Sequence, residues 1–172
     1  MLGIQSKNSD INKWRAFYRD NKYHELCETS VIPCKVVDDC GAKKFLLKLH
    51  DGLETESVIL QIDGFKKRRH TLCLSSQIGC AMGCDFCQTA KMGLLRNLTT
   101  AEIISQWHAA HHALGTTIDN IVFMGMGEPL MNLPNVLRAI EIFIAPKAFA
   151  MAPRRITVST VGVISRIGPL LE

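Results

Sequence analysis

The apolar positions of the chain follow two rhythms, and the change between them falls near residue 87. Ahead of it, Pro33–Val37, Lys44–Leu49 and Glu56–Ile62 read as strands. The last of these leads through Asp63-Gly64, a tight-turn pair, into the returning arm of a hairpin over Lys66–Ser76. Further upstream, Ile11, Trp14 and Phe17-Tyr18 recur at helical spacing, predicting a helix from Ile11 to about Leu26 with Asp10 as N-cap. Such a stripe packs against a core more often than it stacks on bases. After the change, helix and strand alternate. Thr99-Thr-Ala-Glu102 is a capping box, followed by apolar positions at Ile103, Ile104, Trp107, Ala110 and Leu114. Asn120–Met124 reads as a buried strand, with Gly125-Met-Gly-Glu-Pro129 as a loop at its C-terminal end. Leu133, Val136, Leu137, Ile140, Phe143 and Ile144 mark an amphipathic helix, with Asn132 as cap and Pro134 in its first turn. Arg155–Thr160 reads as another strand and Val163–Leu171 as the start of another helix. His108, His111 and His112 are expected at the surface or boundary of their helix rather than on a metal.

This alternation predicts an α/β fold with a parallel sheet and right-handed crossovers, preceded by a small helix and β-hairpin region. In barrel-like versions of such folds the chemistry sits in loops at the C-terminal ends of the strands. The loop after Ser76, the Gly125–Pro129 loop and Ser159-Thr160 all fall at such ends, so three segments distant in sequence are expected to meet in one pocket.

The first of those loops carries Cys80-Ala-Met-Gly-Cys84-Asp-Phe-Cys87, spaced C-x3-C-x2-C, with Cys73 seven residues upstream. Three thiolates do not close a tetrahedral zinc shell, which takes four protein ligands. They can hold three irons of a 4Fe–4S cube and leave the fourth open to a small chelating ligand. A zinc knuckle using Cys73 as fourth ligand, or plain buried thiols, is the bland alternative. Gly79 and Gly83 allow the loop to wrap tightly, and Phe86 offers an apolar wall. Cys27, Cys34 and Cys40, at C-x6-C and C-x5-C, suit no compact metal site and read as structural or incidental thiols.

Composition adds boundaries rather than chemistry. The 172 residues are 47% hydrophobic and 21% charged, as in ordinary globular chains, and no apolar run approaches the roughly 20 residues of a membrane span. The start lacks the layout of a secretion signal, and seven cysteines, an odd number, do not suggest a disulfide framework. A cytoplasmic location without a membrane partner is the expectation. A net charge of +4 permits nucleic-acid binding without demanding it. The dense basic run Lys66-Lys67-Arg68-Arg69-His70 either contacts phosphates or forms a solvated hairpin rim; the sequence does not choose.

The C-x3-C-x2-C spacing with an aromatic before its third cysteine resembles the radical S-adenosylmethionine enzymes. Taken alone the Gly-x-Gly-Glu-Pro loop is weak, but one βα unit after such a cysteine loop it gains weight as a place for a cofactor with an α-amino group. The wording His-Thr-Leu-Cys73-Leu-Ser-Ser-Gln-Ile-Gly-Cys80, Cys87-Gln-Thr-Ala, Arg96-Asn-Leu, Met124-Gly-Met-Gly-Glu-Pro-Leu and Arg154-Arg-Ile-Thr-Val-Ser-Thr160 is similar to the RlmN-type RNA adenine methyltransferases. The resemblance runs from about Val36 to the end.

That resemblance implies an incomplete partial (βα) barrel, about three βα units of six over residues 70–172, behind an accessory helix and hairpin region over 1–69. It implies a 4Fe–4S cluster on Cys80, Cys84 and Cys87, with Phe86 beside it, and S-adenosylmethionine against Gly127, Glu128 and Ser159. It implies Cys73 as the thiol that resolves a protein–RNA crosslink by forming a disulfide, and Glu56 as a proton acceptor. The reaction implied is methylation of adenine C2 in large-subunit rRNA, with tRNA as a second substrate and flavodoxin or ferredoxin as electron donor. One S-adenosylmethionine methylates a C-terminal cysteine, and a radical from a second activates that methyl group. No cysteine follows Cys87, so the chain is expected to be truncated at both ends, with its C-terminal half missing or separately encoded. The alternatives are a noncatalytic iron–sulfur or RNA-binding remnant, a C8-methylating relative, and a different radical enzyme.

Overall fold

The four extended segments upstream of the cysteine loop form one antiparallel meander in the computed structural model, which describes residues 32–63 and 68–168. It runs β1 (Lys35–Asp39), β2 (Ala42–Lys48), β3 (Glu54–Asp63) and β4 (Arg68–Leu74). The registers Val36↔Phe45, Phe45↔Ser57 and Ile59↔Leu72 keep the apolar residues of neighbouring strands on one face. β4 then pairs in parallel with β7 (Asn120–Phe123), which pairs in parallel with β8 (Ile156–Val158), giving the order β1-β2-β3-β4-β7-β8. The junction between residues 69 and 70 falls inside β4, and a single sheet crosses it. A separate two-stranded ribbon, β5 (Gln77–Gly79) with β6 (Leu94–Asn97), brackets the cysteine loop. The three parallel strands match the expected count of βα units.

Helices α1 (Thr100–His108) and α2 (Leu133–Ile144) cover one face of the sheet. Phe45, Leu47, Leu72, Leu74, Ile121 and Phe123 meet Ile103, Ile104, Val136, Ile142 and Phe143 in one core, nearly all fully buried. Each such side chain stabilises the fold by about 1.5–3 kcal/mol on burial, so the sheet is anchored from the helix side. The opposite face carries Lys44, Glu56, Val58, Cys73 and Val122, half-buried or exposed, and no described element covers it. No helix among the described residues is long and apolar enough to cross a membrane.

Several expectations need correction. The predicted capping box at Thr99 is present on both sides: Thr99 Oγ accepts from the Glu102 N–H, and the Glu102 carboxylate accepts from the Thr99 N–H. Asn132, by contrast, makes no side-chain cap, and α2 is entered through a 3-10 turn over Pro129–Asn132. β8 is shorter than Arg155–Thr160, because Pro153–Arg155 form a 3-10 turn and Thr160 leaves the ladder. Ile164–Arg166 form a 3-10 turn at the start of the helix expected from Val163, and Pro169–Leu171 lie outside the described residues. His108 and His112 are buried, not superficial, with their rings stacked at 5.2 Å. They lie where α1 passes into a π-helical turn (Ala109–Ala113), and His108 packs against Phe149. The predicted helix over Ile11–Leu26, Cys27, Gly64 and Lys66-Lys67 lie outside the described residues.

Candidate active site

The cysteine loop is pinned at both ends. At its entry the Cys80 N–H donates to the Gly93 carbonyl at 3.0 Å, next to the irregular register step at Ile78/Gly79. Gly79 has a φ of +76°, and a Cβ there would collide with the Gly93 carbonyl oxygen, so only glycine lets the two arms close. Inside the loop the Cys87 N–H donates to the Cys84 carbonyl at 3.0 Å, a turn that sets the last two thiols on one short arc. Cys80 is buried, Cys84 and Cys87 are half-buried, and Phe86 is 93% exposed on the rim.

The exit is fixed by Arg96. Its guanidinium holds Glu102 through two bonds of 2.8 Å and Asp51 through one of 2.6 Å, joining β6 to the first turn of α1 and to the β2–β3 turn. Burial pushes the Glu102 carboxyl up, but the bonds from Arg96 and from the Thr99 N–H outweigh it and hold the group below the ordinary carboxylate range. A depressed folded pKa gives stability that is present above the unfolded value, roughly 4.3, and lost as pH falls through the folded one. Arg96→Gln leaves Glu102 buried without its cation, so a loss of roughly 3 kcal/mol is expected at neutral pH. Urea midpoints between pH 7 and pH 3 check this: the parent should lose stability as pH falls below the unfolded value and the variant should lose less, so the gap between them narrows.

Under the loop lies a set of buried polar residues that joins three chain segments. Ser75, Ser76 and Gln77 are at most 1% exposed, although they continue directly from β4. Gln106 on α1 accepts from the Ser57 hydroxyl (2.6 Å) and the Ser75 N–H (2.9 Å), and donates to the Ser75 carbonyl (3.0 Å). The Ser75 hydroxyl donates to the Glu56 carbonyl and accepts from the Met126 N–H. Asn132 donates to the carbonyls of both Ser76 and Leu98 at 2.7 Å, and its Oδ1, the atom a cap would use, accepts from the Asn135 amide at 2.8 Å. Gln77 accepts from the Glu128 N–H and donates to Asn97. Each of these bonds satisfies a group that would be costly to bury unpaired. Sequence reasoning passed over Gln77, Gln106 and Asn132 as ligatures. The signal was there: a polar Ser-Ser-Gln run between a buried strand and a cysteine.

The Gly125–Pro129 loop is at the same end of the sheet. The Ser76 and Gln77 N–H groups both donate to the Met126 carbonyl, and the Gly125 N–H donates to the Leu74 carbonyl. A Cβ on Gly125 would press on the Ser75 hydroxyl and the Leu74 carbonyl. One on Gly127, whose φ is +94°, would collide with the Gln77 side chain. Both glycines therefore serve the packing of two loops, beyond any room they leave for a ligand. Glu128 is only 3% exposed. Its Oε1 accepts from the Leu130 N–H (2.9 Å) and the Thr160 hydroxyl (2.6 Å), and its Oε2 accepts from the Val161 N–H (3.0 Å). Ser159 follows β8 directly, its N–H donating to the Phe123 carbonyl. The three loops are thus brought together at the C-terminal ends of β4, β7 and β8.

Glu56 and Cys73 are on the uncovered face, Cys73 next to last in β4 and Glu56 bound through its carbonyl to the Ser75 hydroxyl. Glu56 is paired with Lys44 at 3.2 Å, on the strand next to β4. Burial pushes the Cys73 thiol up, a bond with the Met124 backbone partly offsets this, and the Glu56 carboxylate adds a smaller upward push. Its thiolate fraction is therefore low at neutral pH. Alkylation by iodoacetamide, read by peptide mass spectrometry, should be slower at Cys73 than at the exposed Cys34 and Cys40 at pH 8. The rate should keep rising above pH 9, and Glu56→Gln should shift the profile to lower pH.

All six described cysteines are free thiols. Three on one loop locked at both ends fit a cluster that takes three thiolates and leaves one iron open. No three Cys, His, Asp or Glu side chains among the described residues are gathered into a single-ion shell.

The profile of the Radical SAM superfamily matches residues 74–169. The probable dual-specificity RNA methyltransferase RlmN of Aquifex aeolicus is 52% identical over 133 residues, covering 76% of this chain and 37% of that protein. The dual-specificity RNA methyltransferase RlmN of Syntrophobacter fumaroxidans is 46% identical over 145 residues, covering 83% and 41%. The crystal structure of a radical SAM methyltransferase from Sphaerobacter thermophilus superposes with a TM-score of 0.73 at 39% identity, covering 83% of this chain and 41% of that one. The chain thus spans about two fifths of the length of these relatives.

Proposed function

The chain belongs to the radical SAM superfamily, and from that premise we propose that it is the cluster- and cofactor-binding part of an RlmN-type enzyme that methylates C2 of adenine in large-subunit rRNA and in tRNA. The observation that carries the reading is the joining of the cysteine loop, the Gly125–Pro129 loop and Ser159-Thr160 at one end of the parallel strands by direct hydrogen bonds. When bound, a 4Fe–4S cluster and S-adenosylmethionine supply the electron transfer and the radical that start the reaction.

The residues of the chain have separate tasks in this reading. Cys80, Cys84 and Cys87 hold the cluster at the mouth, with Phe86 covering one side. Glu128 takes the α-amino group, Ser159 donates to a ribose or carboxylate oxygen, and Gly127 lets the backbone lie close. Cys73, kept as a thiol by burial, is held in reserve for attack on a protein–RNA bond. Glu56 on the same face is the proton acceptor, its carboxylate poised by Lys44. An electron donor of flavodoxin or ferredoxin type, and a cytoplasmic setting, complete the proposal.

The test supplies labelled S-adenosylmethionine, reductant and an adenine-bearing rRNA fragment to the reconstituted chain, with and without a polypeptide carrying the remaining strands of a relative and its C-terminal cysteine. Label on adenine C2 in the complemented reaction is expected. Label on C8 moves the chain to the C8-methylating relatives, and no label under any complement favours a noncatalytic remnant.

A further inference from the structure

We propose that Thr160 is a positioning residue for the amino group of the cofactor. Its hydroxyl fixes the Glu128 carboxylate in the orientation that receives this group, and so ties the loop after β7 to the loop after β8. The proposal rests on the reading of Glu128 as the amino-group acceptor.

The direction of each hydrogen bond is set by chemistry. The Gly162 N–H lies 3.0 Å from Thr160 Oγ and can only donate, so the hydroxyl accepts there and turns its single proton elsewhere. The other partner is Glu128 Oε1 at 2.6 Å, a short distance in the range of hydroxyl–carboxylate bonds. Gly162 makes this possible with a φ of +89°, a conformation that other residues resist. A carboxylate oxygen has about two acceptor places. Among the described residues, Oε1 fills both, with the Leu130 N–H and the Thr160 hydroxyl, whereas Oε2 holds only the Val161 N–H. The buried carboxylate is thus left with one place, on Oε2, for one further donor. The α-amino group of the cofactor supplies such a donor through one of its N–H bonds. Val161 and Thr160 also follow Ser159 directly, so the same bonds hold the residue assigned to the other end of the cofactor.

The experiment measures binding by equilibrium dialysis to the anaerobically reconstituted chain, using S-adenosylmethionine and its analogue with hydrogen in place of the α-amino group. Thr160→Val should weaken S-adenosylmethionine about tenfold, the worth of one charge-assisted hydrogen bond, and the analogue by less than about twofold. Thr160→Ser, which keeps the hydroxyl, should stay within about twofold of the parent for both. Thr160→Ala removes the same group with less bulk and carries the same expectation should the valine variant not fold. Equal weakening of both ligands, or of neither, while Glu128→Gln selectively weakens S-adenosylmethionine, overturns the role of Thr160 alone. A Glu128→Gln variant with no such selectivity overturns the reading of Glu128, and this inference with it.

Discussion

Anaerobic reconstitution should load about four irons and four sulfides on each chain, and Cys80→Ala, Cys84→Ala or Cys87→Ala should each remove nearly all of them. The effect is expected to be this large because a cube bound by three protein thiolates has no spare protein ligand on this loop. Replacing Cys27, Cys34 or Cys40 should leave the iron content unchanged. Cys34 is on the far side of the meander, its thiol directed at the Leu46 carbonyl, and Cys40 lies in the β1–β2 turn. Cys73→Ala decides between cluster and zinc knuckle. The knuckle needs Cys73 as its fourth ligand, whereas the cluster leaves its fourth iron to a small molecule. Full iron loading of Cys73→Ala supports the cluster, and loss equal to that of Cys84→Ala would sink the three-cysteine assignment.

The sequence carried the parts of this site that local chemistry determines. The C-x3-C-x2-C spacing, the Thr99–Glu102 capping box and the placement of the glycine loop after a buried strand each depend on residues close in the chain. The structure has the box, and it has both loops at the expected end of the sheet. What escaped notice depends on partners far away in sequence. Asn132 has the right identity and position for a cap, but its amide N–H groups go to the Ser76 and Leu98 carbonyls and its oxygen to the Asn135 side chain. Arg155–Thr160 reads as a strand by composition, yet Thr160 is drawn out of the ladder by a carboxylate 32 residues away. His108 and His112 sit on the less apolar side of their helix pattern. Only the position of Phe149 and the π-helical turn show that this side is enclosed.

The glycines of the second loop show the same limit in a sharper form. Read alone, Gly125 and Gly127 make space for a ligand. In the fold their missing side chains also let two loops touch, since a Cβ at either would strike Ser75 or Gln77. Gln77 therefore links the two loops, with one amide joining β6 to the backbone of Glu128. The Ser76 and Gln77 N–H groups bind the Met126 carbonyl beside it, so the base of the cysteine loop and the Glu128 backbone move together.

The 172 residues alone should transfer no methyl group to RNA even with cluster, reductant and S-adenosylmethionine supplied. The reaction proposed needs a thiol that carries the methyl group and a second that later attacks the resulting bond, and one sulfur cannot do both. In the proposed reading Cys80, Cys84 and Cys87 hold the cluster, which leaves Cys73 and three others; no cysteine follows Cys87. Cys40 is at the β1–β2 turn, the end of the sheet opposite the cysteine loop. Cys34 stands beside β1, three strand spacings or roughly 14 Å from β4. Cys27 lies outside the described residues, and Cys27→Ala tests whether it contributes anything. Cleavage of S-adenosylmethionine to 5′-deoxyadenosine should survive at a low rate, because binding and reduction need only the three loops. The measurement is labelled methyl in adenine after nuclease digestion, set against 5′-deoxyadenosine formed in the same tube. Deoxyadenosine without labelled adenine is the expected result. It should convert to labelled adenine when a polypeptide supplies the C-terminal cysteine and pairs with the free edge of β8. Strong labelling by the chain alone would mean that one of its seven cysteines carries the methyl group, and the assignment of Cys73 as the resolving thiol would have to be abandoned.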